Sequence, residues 1–307
     1  MMNTAIRSAL LGASMFCLAH PIAALQDDPR GQLLVDVDWL EARIDDPGVV
    51  VLHVGRNYDD GHIPGSAPLD LGAITYSSGE VGSPDHVMLD LPPDLATARD
   101  AFEIAGVSDG STVVVAFEGR GMANATRVLW TLEVLGLGAA GRLLDGGLGA
   151  WTEAGNALST EVGAPARGRI AATPRLDRRV GKDFVRAEGA SPGITLVDAR
   201  RVPHFRGEEE ETEGRAGHIP GAGSVFFGDL FTEDARLKPA DELRSLLEQA
   251  GLSDGDQVVA YCHIGLWGSG VVFAARTLGL DAVLYDGSMR EWAWDRSLPL
   301  ERSPGGR

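Results

Sequence analysis

Three short blocks occur twice along the chain, in the same order, and this duplication sets the architecture. Gly61-His62-Ile63-Pro64-Gly65 returns as Gly217-His218-Ile219-Pro220-Gly221, at an offset of 156 residues. Ala105-Gly106-Val107-Ser108-Asp109-Gly110 returns as Ala250-Gly251-Leu252-Ser253-Asp254-Gly255, at an offset of 145. Asp145-Gly146-Gly147-Leu148-Gly149-Ala150-Trp151 returns as Asp286-Gly287-Ser288-Met289-Arg290-Glu291-Trp292, at an offset of 141. Offsets that drift while the order holds are what loop insertions leave between two copies of one domain. The 307 residues leave room for two domains of ordinary size, each able to bury a core.

Within each copy, short β-branched runs alternate with helical ones. The first copy predicts strands near 49–54, 113–117 and 143–144, with helices near 95–105 and 123–135. The second predicts strands near 195–197, 258–261 and 283–285, with helices near 241–250 and 267–278. Such alternation implies an α/β fold, with a parallel sheet flanked by helices on both faces in each domain. The domains are expected at 31–158 and 176–303, joined by a linker at 159–175 rich in Gly, Ala, Pro and Arg.

Residues 1–24 have the marks of an export signal. Arg7 gives a basic start, Ala9 to Ala19 an apolar stretch too short for a membrane span, and Ile22-Ala23-Ala24 a cleavage site. A periplasmic or secreted protein is expected, with cleavage after Ala24, which removes Cys17 and leaves Cys262 as the mature chain's only cysteine. A single cysteine closes no internal disulfide, so its thiol is either inert or kept for reactivity. The net charge of −17, one unit more negative without Arg7, disfavours nucleic acid and anionic membranes as partners. No further segment is long and apolar enough to span a bilayer.

Cys262 sits where a predicted strand, 258–261, meets a predicted helix, in Tyr261-Cys262-His263-Ile264-Gly265-Leu266-Trp267-Gly268. Backbone N–H groups and a helix N-terminus at such a junction stabilise a thiolate or an anionic adduct and are expected to lower the thiol pKa. In parallel α/β sheets, active sites lie at the carboxyl ends of strands. Cys262 is therefore the candidate nucleophile.

The paired Gly-His-Ile-Pro-Gly blocks, Asp198-Ala199-Arg200, the Tyr-Cys-His-Ile-Gly loop and Tyr285-Asp286-Gly287-Ser288 with Glu291-Trp292 together resemble a tandem rhodanese-type sulfurtransferase, of the thiosulfate/3-mercaptopyruvate family. The resemblance spans essentially the whole mature chain. It implies a Cys262 persulfide formed from a small sulfur donor and passed to a thiol or cyanide acceptor, in ping-pong fashion. It implies that His263, Ile264, Gly265, Leu266, Trp267 and Gly268 cradle the persulfide with N–H groups, as an oxyanion hole does. Asp198 and Arg200 lie beside that loop in the family, as an ion pair fixing loop to sheet or as direct participants. Arg215, with Arg206, brackets the acidic run Glu208-Glu209-Glu210-Glu211, Thr212, Glu213, and is a candidate for substrate binding or loop support. No cofactor is implied, and a lone cysteine without ligand partners argues against a metal. His62 and His218 occur in both copies and read as parts of structural turns.

Aligning strand 114–117 with 258–261 sets Glu118 opposite Cys262, and His53-Val54-Gly55 opposite Asp198-Ala199-Arg200. The first domain is then a catalytically inactive duplicate that walls the cleft. The second departs from the family in ways that bear on substrate. Its loop is mostly apolar, where thiosulfate-using members carry basic residues and mercaptopyruvate-using members small polar ones. His204 stands where the family places a donor-binding arginine. Thiosulfate is therefore expected to be a poor donor. A phosphatase is disfavoured, because the loop arginine it needs is replaced by Gly268. A non-catalytic periplasmic persulfide carrier, or a partner-binding module docking through Leu266 and Trp267, is the alternative.

Overall fold

The computed structural model describes residues 28–80, 83, 86–163, 165–210 and 214–303, so the export signal read at 1–24 and residues 211–213 of the acidic run lie outside the described residues. The first domain carries strands β1 (Leu34–Val35), β2 (Val49–Val54), β3 (Ala67–Pro68), β4 (Tyr76–Ser78), β5 (Val87–Asp90), β6 (Thr112–Phe117) and β7 (Gly141–Leu144). Its helices are α1 (Pro29–Leu33), α2 (Val37–Glu41), α3 (Leu95–Ile104), α4 (Met122–Leu132) and α5 (Gly147–Glu153). The second has β8 (Arg179–Val180), β9 (Ile194–Asp198), β10 (Gly223–Ser224), β11 (Gln257–Tyr261) and β12 (Ala282–Tyr285). Its helices are α6 (Lys182–Glu188), α7 (Val202–Arg206), α8 (Ala240–Gln249), α9 (Gly268–Thr277) and α10 (Ser288–Trp294).

Each domain builds a five-stranded sheet with every pairing parallel, ordered β1-β7-β6-β2-β3 in the first and β8-β12-β11-β9-β10 in the second. The identical order is the duplication in three dimensions. An antiparallel pair, β4–β5, is added in the first domain.

Successive residues of a strand face opposite sides of the sheet, and here the two sides have different fates. In β6, Val113, Val115 and Phe117 join a large apolar cluster, while Val114 and Ala116 pack with Val37, Leu40 and Trp151. In β11, Val258, Ala260 and, just beyond it, Cys262 join that same large cluster, while Val259 and Tyr261 pack with Met289 and Trp292. The inner faces of both domains thus share one core, with α4 and α9 side by side at its centre. A shared apolar core holds the two domains as one body, where a small polar interface would leave them free to move.

Polar contacts cross the same boundary. Asp145 Oδ1 accepts the N–H of Leu237 at 2.8 Å, and Asp286 Oδ2 accepts the N–H of Leu91 at 2.8 Å. Each repeated Asp-Gly turn thereby grips a loop of the other domain. Arg127 of α4 pairs with Asp286 at 2.5 Å, both side chains fully buried. Removing one partner from such a pair costs about 3–5 kcal/mol, because the other charge stays buried. The segment expected as a linker is pinned along the first domain. Ile170 is buried, the N–H groups of Ala171 and Ala172 bond Asp109, and Arg175 N–H bonds the Val134 carbonyl. Both repeated histidines hold turns: His62 stacks on Tyr58 at 3.7 Å and His218 on Phe205 at 3.9 Å.

Strand register corrects the alignment of the copies. Val49 pairs with Thr112 as Ile194 pairs with Gln257, and His53 with Ala116 as Asp198 with Tyr261. Phe117, not Glu118, therefore stands at the Cys262 position, and both face the shared core. Glu118 stands one residue on, where the second copy has His263. A one-residue slip exchanges the faces of a strand, and two all-apolar runs give no alternation to reveal it. The conclusion that the first copy lacks a nucleophile is unchanged, since phenylalanine has none.

The interface places Asp90 near Asp286. Burial first, then the Asp286 charge, pushes the Asp90 carboxyl up to about 7, against the pull of Arg179 and Arg127. The folded protein then holds a proton that the unfolded chain releases above about pH 4, so stability falls as pH rises from about 4 to 7 and levels off beyond. Asp90→Asn mimics the protonated form. Its melting temperature should exceed that of wild type by about 2–4 °C at pH 8, with the gap narrowing at pH 5; a gap independent of pH in differential scanning calorimetry would refute this assignment.

Candidate active site

Cys262 follows the last residue of the central strand β11 and is 2% exposed. Its position is fixed through the backbone: its N–H donates to Ser288 Oγ at 3.2 Å, and its carbonyl accepts the Met289 N–H at 3.0 Å. The next carbonyl, His263, accepts the Arg290 N–H at 3.0 Å. The start of α10 thus serves as a platform under the cysteine. Ser288 reaches this place through a left-handed backbone, φ 55°, and its hydroxyl donates to the Tyr285 carbonyl at 2.8 Å.

From Cys262 the chain curls back on itself and enters α9. The Trp267 N–H donates to Cys262 Sγ at 3.2 Å, and the N–H groups of Ile264 and Gly268 also point at the sulfur. Gly265 makes the curl possible with φ +78°; a Cβ there would lie 2.7 Å from the Asp286 carbonyl oxygen. At Gly268 the constraint is space, since a Cβ would sit 2.8 Å from Leu284 Cδ1. Both glycines are required, for different reasons.

The sulfur lies at a cavity of about 280 Å³ lined by Arg200, His204, Cys262, His263, Ile264, Leu266 and Trp267. Trp267 is held against Phe226 and Phe227, ring centroids 5.6 and 6.0 Å away. Arg200 is committed to Asp198 through Nε at 3.0 Å and Nη2 at 2.7 Å, and Nη2 also donates to the Gly217 carbonyl at 2.8 Å. His204 Nε2 lies 3.3 Å from Glu209 Oε2. Arg200 and His204 therefore both face carboxylates, and the rest of the wall is largely apolar. The geometry brings Asp198, Arg200 and His204 to the cysteine loop but not Arg215. Arg215 donates to the Ala293, Asp295 and Leu298 carbonyls, binding the last turn of α10 and the chain that follows it.

The expectation of a lowered thiol pKa is not met in this state. Burial pushes the Cys262 thiol above its ordinary value; the N–H groups of Gly268, Ile264 and Trp267 oppose this, and the Asp198 charge adds to it. Desolvation penalises the thiolate more than three N–H donors favour it. The same donors gain strength once a charged sulfur sits among them.

In the first domain, Glu118 accepts from His53 Nε2 at 2.7 Å and from the Asn57 N–H at 2.9 Å. Burial raises its pKa, but these bonds and that of the Arg56 N–H outweigh it, so the carboxyl is held below its usual range. Sequence reasoning missed Arg127 and the role of Ser288. A lone arginine inside the apolar run of α4, and the repeat of the Asp-Gly turn, were the available signals.

Fold and site together define a tandem α/β protein with one buried cysteine at the centre of an N–H-lined loop. The model of the Rhodanese-like domain matches residues 36–154 and 182–294, and the chain belongs to that family. It is 33% identical over 281 residues to a Pseudomonas aeruginosa protein described as "Probable 3-mercaptopyruvate sulfurtransferase", covering 87% of this chain and 97% of that one. It is 32% identical over 292 residues to the sulfur carrier protein TtuD of Thermus thermophilus, covering 88% and 97%. The fold resembles that of an anaerobic ergothioneine biosynthesis enzyme from Chlorobium limicola, at a TM-score of 0.76 and 25% identity over 90% of this chain and 71% of that one.

The thiolate absorbance of the protein, taken as a difference from Cys262→Ser, should titrate with a midpoint above the roughly 8.5 of a free thiol. A midpoint below about 7.5 would mean that the helix and loop outweigh burial.

Proposed function

We propose that the chain is a sulfurtransferase in which the Cys262 thiolate attacks the transferable sulfur of a small donor. The bond from that sulfur to the rest of the donor breaks, the remainder leaves with the bonding electrons, and a persulfide stays on Cys262. A thiol or cyanide acceptor then attacks the outer sulfur and releases the thiolate. The N–H groups of Ile264, Trp267 and Gly268 are placed to hold the charge on sulfur without reorganising.

The cavity wall carries the choice of donor. Ile264, Leu266 and Trp267 are apolar, and Arg200 and His204 both face carboxylates. A doubly charged thiosulfate gains little there for the hydration it loses. A donor bearing its sulfur on carbon, of the 3-mercaptopyruvate type, suits the wall better. A persulfide-carrier role is the second reading, favoured by the likeness to the Thermus sulfur carrier. Export to the periplasm belongs to this proposal and rests on the sequence at 1–24. No helix among the described residues is long and apolar enough to cross a membrane.

Intact mass after incubation with either donor, followed by thiocyanate release from cyanide, tests the reading. Wild type should gain one sulfur and turn over, Cys262→Ser should do neither, and kcat/KM should favour 3-mercaptopyruvate by about tenfold or more. Loading without turnover would favour the carrier, and no loading by either donor would refute sulfur transfer from small molecules. His204→Arg should raise kcat/KM for thiosulfate about tenfold by adding a forked cation; no gain would show that His204 does not face the donor.

A further inference from the structure

The domain without a nucleophile reaches the active-site loop through a buried arginine. Arg127 crosses from α4 into the second domain, where Nη1 donates to Asp286 Oδ1 at 2.5 Å. Nη2 donates to the Leu89 carbonyl at 2.7 Å, and the guanidinium lies over the Trp130 ring, 4.5 Å from its centroid. Three contacts from three chain segments hold one fully buried cation in place. Leu89 presents its carbonyl through a left-handed backbone, φ 59°, a conformation leucine seldom adopts.

What this cation holds bears on the chemistry. A Cβ on Gly265 would lie 2.7 Å from the Asp286 carbonyl oxygen, 2.8 Å from its Oδ1 and 3.2 Å from Arg127 Nη1. The outer turn of the cysteine loop therefore rests directly on the Arg127–Asp286 pair. Asp286 also opens the Asp286-Gly287-Ser288 turn, whose serine accepts the Cys262 N–H and whose following residues bind the Cys262 and His263 carbonyls. The pair thus touches the loop at its crest and, through that turn, at its base. Arg179 Nε, 3.4 Å from Asp286 Oδ2, and Asp90 complete the charges around it.

We propose that Arg127 is a positioning residue for sulfur transfer: through Asp286 it sets the turn at Gly265 that aims the N–H groups of Ile264, Trp267 and Gly268 at the Cys262 sulfur. The inactive domain then does more than wall the cleft. It supplies the buried cation against which the persulfide loop is formed. This goes beyond the sulfurtransferase reading, since it concerns how the loop is held and not what it transfers.

The test compares Arg127→Lys, the double variant Arg127→Met/Asp286→Asn, and Arg276→Met as a control. Arg276 pairs with Glu133 across the same interface, away from the loop. The double variant leaves no unpaired buried charge, so it keeps the test open if Arg127→Met alone does not fold. Melting temperature reports stability, and the thiolate absorbance of Cys262 reports the loop without requiring turnover. Misaiming one N–H donor should leave about tenfold less thiolate at a given pH, a midpoint raised by about one unit, with a smaller rise for Arg127→Lys. With a donor that works, kcat should fall about 10–100-fold while KM stays within about twofold, as expected when a transition-state donor is lost. Arg276→Met should lose stability without moving the midpoint. Folded Arg127 variants that titrate as wild type would overturn the proposal, as would a control that shifts the midpoint equally. Failure of the sulfur-transfer reading is a separate result, seen as no sulfur uptake by wild type, and it leaves the titration intact.

Discussion

The alternation of side chains along two central strands governs the rest of the molecule. Because β6 and β11 each turn one face toward the other domain, their inner residues fill a single cluster in place of two. The burial that stabilises one sheet is completed by the helices of both, at roughly 25 cal/mol for each Å² of apolar surface removed from water. Cys262 lies on that inner face. Its depth follows from strand parity, and so does the thiol's reluctance to ionise. The cavity above it is a gap left where the shared packing ends, bounded by the loop that the cysteine itself begins.

Two opposing effects act on the sulfur, and their balance suits a carrier of charge that comes and goes. Desolvation keeps the resting thiol protonated, while three N–H groups already point at it. When a donor's sulfur arrives, the charge is set among dipoles already in place, so little rearrangement is needed. The glycine at 265 is the local price of that geometry, since its left-handed turn lets the amides of Ile264, Trp267 and Gly268 converge on one atom. The aromatic packing of Trp267 on Phe226 and Phe227 keeps the far side of the curl from opening.

Much of this was legible in the chain. Repeated blocks gave two domains, alternation of runs gave parallel sheets, and the Tyr-Cys-His-Ile-Gly loop marked where the chain curls around Cys262. Four things were not legible. The run Val113 to Phe117 is apolar on both faces, so nothing in it distinguishes Phe117 from Glu118 as the partner of Cys262; only the pairing of β2 with β6 does. Arg215 looked like part of a charge pattern, yet its donors go to carbonyls at and after the end of α10, a choice that depends on where that segment folds. The depth of the thiol reflects its place on the face of β11 that joins a cluster drawn from both domains, which no local motif encodes. The stretch at 159–175 has linker composition, but its amides are taken up by Asp109 and neighbouring carbonyls along the first domain.

A core held in common makes the ancestral duplication a one-way step. Once both copies filled the side where α4 and α9 meet with Val128, Leu132, Val272 and Phe273, neither half retained a face that water tolerates. The domain without the cysteine therefore cannot be removed without baring that face. Its retention follows from solubility, whatever else it contributes, and selection on sulfur chemistry alone would not have kept it.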